Sequence, residues 1–173
     1  MRHLASSRIN RPMPPIAQHV VIFAGRVLLS LVCLFAAVGH LIGWSGSVAA
    51  MRAAGMAPES IVGRLSAPLL HILLLGAVAT LLLGGLSVLL GLRARAGAVL
   101  LMIFLIPTTL IFHDFWAQPA ASQAFQLEMI QFLKNLGLFG GLLFVLGFGA
   151  GGLTLELLSA EASCRGGRLS RGR

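Results

Sequence analysis

Four long apolar runs, almost free of charge, constrain this 173-residue chain more than anything else in it. They cover roughly residues 20–43, 67–91, 97–112 and 136–155. A hydrocarbon core about 30 Å thick is crossed by about 20 helical residues, so each run predicts a membrane span. Strands of a membrane barrel would alternate apolar and polar residues, whereas these runs are uniformly apolar. The predicted fold is therefore all-α, an integral membrane four-helix bundle. Composition agrees, with 57% hydrophobic residues, 10% charged residues and a mean hydropathy of +0.93.

Spans and short connections use most of the chain and leave no room for a separate soluble domain. Residues 1–19 read as an N-terminal tether, 20–157 as the span domain and 158–173 as a basic tail. No Walker loop, dinucleotide fingerprint or HExxH motif is present. The net charge of +8 does not point to nucleic acid, because the arginines sit at the chain ends and in one connection. Residues 1–19 are basic, and Ala37-Val38-Gly39 loosely resembles a cleavage site. The first run is nonetheless too long for a signal peptide, and three more runs follow. Cys33 lies inside the first run and Cys164 in the tail, so two free thiols are expected.

Positive residues mark the cytoplasmic side of a membrane protein. Arg2, Arg8, Arg11, Arg93, Arg95, Arg165, Arg168, Arg171 and Arg173 fall on one side of the four-span scheme, against Arg52 and Arg64 on the other. Both termini are thus expected inside, with residues 44–66 and 113–131 facing outward. The basic tail is expected to be either solvated or laid on anionic lipid.

Helices in lipid associate through close backbone contact. Gly39/Gly43, Gly76/Thr80/Gly84 and Gly137/Gly141 are the small-residue faces, suited to packing within the bundle or to a homo-oligomer. Pro68 suits the first turn of the second span. Pro107 should bend the third, with Thr108 and Thr109 available to bond freed carbonyls.

Function has to be read from the polar residues at membrane depth. Arg26 lies about 9 Å inside the first span at 1.5 Å per residue. It reads as an interfacial anchor or as an interior cation for an anionic or quinone-like head group. The others gather toward the opposite end: His40, Trp44, His71, His113, Asp114, Trp116, Lys134 and Asn135. Trp44 and Trp116 suit interfacial anchoring. Asp114 and Lys134 suit an ion pair tying two helices. His113 and Asp114 suit proton exchange in quinol chemistry. Three histidines with Asp114 would offer metal ligands, but the spacing matches no metal motif, and no metal is assigned.

Several short segments resemble the DoxX family. They are Phe112-His113-Asp114-Phe115-Trp116, Phe132-Leu133-Lys134-Asn135-Leu136 with Gly140-Gly141, Gly25-Arg26-Val27-Leu28-Leu29, Gly55-Met56-Ala57-Pro58, and Gly84-Gly85 with Gly91-Leu92-Arg93-Ala94-Arg95. The resemblance spans residues 23–156. It implies a four-helix bacterial inner-membrane protein, some of whose relatives serve quinone-linked oxidation. Two positions depart from the family pattern: His40 replaces a common lysine, and Leu81 replaces a common glutamate that would face Arg26. The expectation is an accessory subunit of a quinone-linked membrane oxidoreductase, with quinone as the one cofactor considered. Lipid, membrane redox proteins and a second copy are the expected partners, and nucleic acid is not one. The alternative is a non-catalytic scaffold or chaperone-like protein with a structural polar cluster.

Overall fold

The computed structural model describes residues 14–54 and 67–151. Among them are five α-helices: α1 (Pro15–Ile42), α2 (Trp44–Ala53), α3 (Ala67–Leu90), α4 (Ala94–Phe112) and α5 (Gln123–Phe148). A 3-10 turn, Phe115–Ala117, lies between α4 and α5. No strand occurs among the described residues. Helices α1, α3, α4 and α5 are long and apolar enough to cross a membrane. At 1.5 Å per residue they measure from about 28 to about 42 Å.

The outer surface is unlike that of a water-soluble bundle. Leu28, Phe35, Leu83, Ile103 and Phe144 are all more than 60% exposed, while Ser30, Ala37 and Ala98 are fully buried. Large apolar side chains on the outside would drive association in water but are at home in lipid. Length and surface together mark a multi-pass membrane protein.

Consecutive long helices pack side by side, α1 on α3, α3 on α4 and α4 on α5, while α5 meets α1 only lightly. The tightest contact joins α3 to α4. A Cβ on Gly84 would lie 2.6 Å from Leu101 Cγ, and one on Gly97 would lie 3.0 Å from the Gly84 carbonyl oxygen. These two glycines let the backbones touch. The reversal between the helices uses Gly91 at φ 73° and Arg93 at φ 48°. Ser87 Oγ closes it by donating to the Leu92 carbonyl at 2.5 Å.

Other small residues fare differently. Gly85 accommodates Leu34 and Gly141 accommodates Leu29, but a Cβ on Gly39, Gly76 or Gly137 would meet nothing within 4 Å. Within the chain, the expected stripes therefore pack at only part of their length.

Three helix starts differ from the apolar runs. Helix α5 begins at Gln123, not near 136, because Ser122 Oγ caps it by accepting from the Phe125 amide at 3.1 Å. Its first turns carry Gln126, Glu128 and Gln131, so hydropathy alone hides them. It ends at Phe148, where Gly149 takes φ 75°, although apolar residues continue. Helix α1 starts at Pro15, whose fixed φ suits a first turn, so residues 15–19 of the expected tether are helical. Helix α4 starts at Ala94 rather than Gly97 and runs on through Pro107. The connection after α1 also contains α2, which follows a break at Gly43. The expected loop Gly55-Met56-Ala57-Pro58, the basic tail and Cys164 lie outside the described residues. Cys33 is a free, buried thiol.

Candidate functional site

The starts of α1 and α4 and the ends of α3 and α5 share one end of the bundle, which is rich in arginine. There, Arg26 projects from α1 and is 2% exposed. Its Nη1 donates to the Ala150 carbonyl and its Nη2 to the Leu89 carbonyl at 3.1 Å. Leu89 belongs to the last turn of α3, where carbonyls lack intrahelical partners and carry partial negative charge, and Ala150 lies just past the end of α5. Arg26 thus binds the ends of α3 and α5 to α1. The Phe23 ring adds a cation–π contact, its centroid 5.7 Å from the guanidinium carbon. Neither Arg26 Nε nor Ser30 Oγ, one turn on, has a hydrogen-bond partner.

Beside Arg26 the light contact between α1 and α5 opens a cleft of about 530 Å³. Ile22 and Leu29 wall it from α1, Phe144 and Phe148 from α5, and Gln18 and His19 also border it.

The aromatic end is built differently. Trp44 Nε1 donates to His71 Nδ1 at 2.8 Å, and the two rings lie 8° from parallel with centroids 6.0 Å apart. His40 Nδ1 and Ser47 Oγ are hydrogen-bonded at 3.0 Å, across the break at Gly43. Between α4 and α5, His113 Nδ1 lies 2.9 Å from Glu128 Oε2. Deeper in the same hairpin, Asn135 Nδ2 donates to Thr109 Oγ1 at 3.0 Å, and that hydroxyl donates to the Leu105 carbonyl at 2.7 Å. Asn135 is 6% exposed. Trp116 is half exposed and meets Phe115 and Phe132 edge-to-face.

These contacts correct several expectations. Asp114 and Lys134 do not pair. Lys134 donates to Gln131 Oε1 at 2.8 Å on its own helix, and the acid that meets the hairpin's histidine is Glu128. The physical reason is the start of α5. With the helix beginning at Gln123, Lys134 and Asn135 lie about 17 Å along it rather than at its mouth. The polar residues therefore do not share one level or one space. Thr108 and Thr109 bond the Phe104 and Leu105 carbonyls, the acceptors four residues back, and not the Ile103 carbonyl that Pro107 leaves open. No three His, Cys, Asp or Glu side chains among the described residues are placed to hold a metal ion.

Three partners went unnoticed in the sequence reading: Glu128, Ser47 and the α3 and α5 end carbonyls. The first had a signal. Glu128 is the acid 15 residues on from His113, across a connection that turns two helices antiparallel and brings their facing ends together. Backbone carbonyls have no sequence signal.

The fold and these contacts define a small multi-pass membrane bundle whose polar side chains bridge its own helices. Residues 18–148 match the family described as HR-like lesion-inducing, and the chain belongs to that family. This overturns the DoxX resemblance: the matching family is a different one, and no DoxX match accompanies it. The motifs that suggested DoxX are glycine pairs, an arginine near a helix start and aromatic residues beside a histidine. Such pieces suit any four-helix membrane bundle packed on small residues, so they report architecture rather than kinship. No curated protein and no solved structure matches the chain.

Proposed function

We propose that this protein is a non-catalytic membrane scaffold. Its polar residues brace its own helices, and its outer faces meet lipid and partner proteins. One observation carries the reading. Arg26, His40, His71, His113 and Asn135 are each engaged by groups of the same chain, and those engagements are spread along the bundle. A quinone-linked accessory role would instead require His113, Asp114, Lys134 and Asn135 around one shared space. The family description names an effect, lesion induction, and no redox chemistry.

The arginine asymmetry supports an orientation with both termini inside, and this reading places the bundle in a cytoplasmic (inner) membrane. Open space at Gly39, Gly76 and Gly137 leaves room for a second copy or a partner helix on α1, α3 and α5. The test is a pair of single variants, His113→Ala and Glu128→Ala, assayed for protein level and for membrane quinol oxidation. The scaffold reading expects a lower level in both and unchanged oxidation per molecule of folded protein. Full protein levels with lost oxidation would favour the redox role and end this proposal.

A further inference from the structure

The cleft between α1 and α5 is a large opening that the helix braces leave unused. Its volume of about 530 Å³ lies within the range of small-molecule sites, about 300–1,000 Å³. Its walls are apolar, from Ile22 and Leu29 to Phe144 and Phe148, and its polar border is Gln18 and His19. Arg26 also lines it, almost fully buried, with Nε lacking any partner. At the Gly149 rim the guanidinium of Arg95 stands 3.6 Å from where a Cβ would be.

Charge identifies the occupant. Among the described residues, the cleft lining includes no acidic side chain. Both acidic residues among the described ones, Asp114 and Glu128, lie toward the other end of the bundle. Glu128 is about 30 Å along α5 from Phe148, by helix rise. The chain segments that continue from this end contain Arg2, Arg8, Arg11, Arg165, Arg168, Arg171 and Arg173 against Glu156 and Glu161, so their net positive charge does not complement the cleft. What does complement it is a long apolar chain joined to an anion.

We propose that this cleft is a binding site for an anionic phospholipid. One acyl chain lies between α1 and α5 along Leu29 and Phe144. The phosphate sits at the rim near Arg95 and His19, within the field of Arg26. The guanidinium Nη atoms of Arg26 are engaged by helix-end carbonyls, so Arg26 contributes charge while Arg95 makes the contact. The site depends on the bundle spanning a membrane and is independent of the scaffold reading.

The test uses the full chain in phosphatidylcholine nanodiscs with spin-labelled lipids. The immobilised fraction is compared for phosphatidylglycerol and phosphatidylcholine labels of the same chain length. A basic residue near anionic lipid contributes about 1 kcal/mol, which corresponds to about a fivefold preference for phosphatidylglycerol. Gly25→Leu adds a side chain at a residue that lines the cleft, where a Cβ meets nothing within 4 Å. It should abolish the preference while the melting temperature holds. Gly76→Leu, equally unobstructed but outside the cleft, should leave the preference intact. Arg95→Gln should reduce the preference while phosphatidylcholine retention persists. Equal immobilisation of both lipids by the unaltered protein would overturn the proposal. So would a preference that survives Gly25→Leu.

Discussion

The two ends of the bundle solve the same problem by different means. Each must tie helices together where water is scarce. At the aromatic end the ties are side chain to side chain, and each joins two elements that are neighbours in sequence: His113 to Glu128, Asn135 to Thr109, His40 to Ser47. At the basic end a single side chain, Arg26, reaches backbone carbonyls 63 and 124 residues away. Local ties are replaceable one at a time, whereas the arginine concentrates three helices on one residue. The contrast predicts that mutational sensitivity is graded along the bundle.

The largest loss should follow Arg26→Leu. It leaves the Leu89 and Ala150 carbonyls without this donor in an apolar setting, at about 1–3 kcal/mol each. Denaturant unfolding in mixed micelles should show a loss of several kcal/mol; a loss no greater than that of His113→Ala would erase the contrast. Gly84→Leu should come next, because its Cβ would overlap Leu101 and overpacking costs about 1–3 kcal/mol. The same assay on Gly137→Leu, where space is open, should show little change.

Smaller effects sharpen the picture of the aromatic end. Hydrogen bonds between membrane helices contribute about 0.6 kcal/mol on average. A double-mutant cycle on Asn135→Ala and Thr109→Val should return a coupling of that order, and a coupling of zero would remove this brace. The smallest effect belongs to Asp114→Asn, which breaks no tie and should stay within about 0.5 kcal/mol. A loss restored by exchanging the charges of Asp114 and Lys134 would revive the ion pair that the start of α5 argues against.

The fold was legible because lipid imposes a simple rule: an apolar run of about 20 residues crosses as a helix. All four long helices overlap the predicted runs. The same rule misplaced the start of α5, since Ser122 begins that helix by capping chemistry in a polar stretch. That error propagated into the site, putting Lys134 opposite Asp114 and hiding Glu128. Arg26 was legible as an exceptional residue, but its partners were not, because they are backbone atoms set by helix packing. The cleft was also invisible, since it exists only where α1 and α5 fail to close.

Hydrogen–deuterium exchange on Arg26→Leu in nanodiscs tests the account most directly. If Arg26 locks two helix ends, amide protection should fall in the last turns of α3 and α5 and hold in the hairpin around Thr109 and Asn135. Unchanged protection in those two turns would contradict the claim that the bundle's polar residues are structural braces.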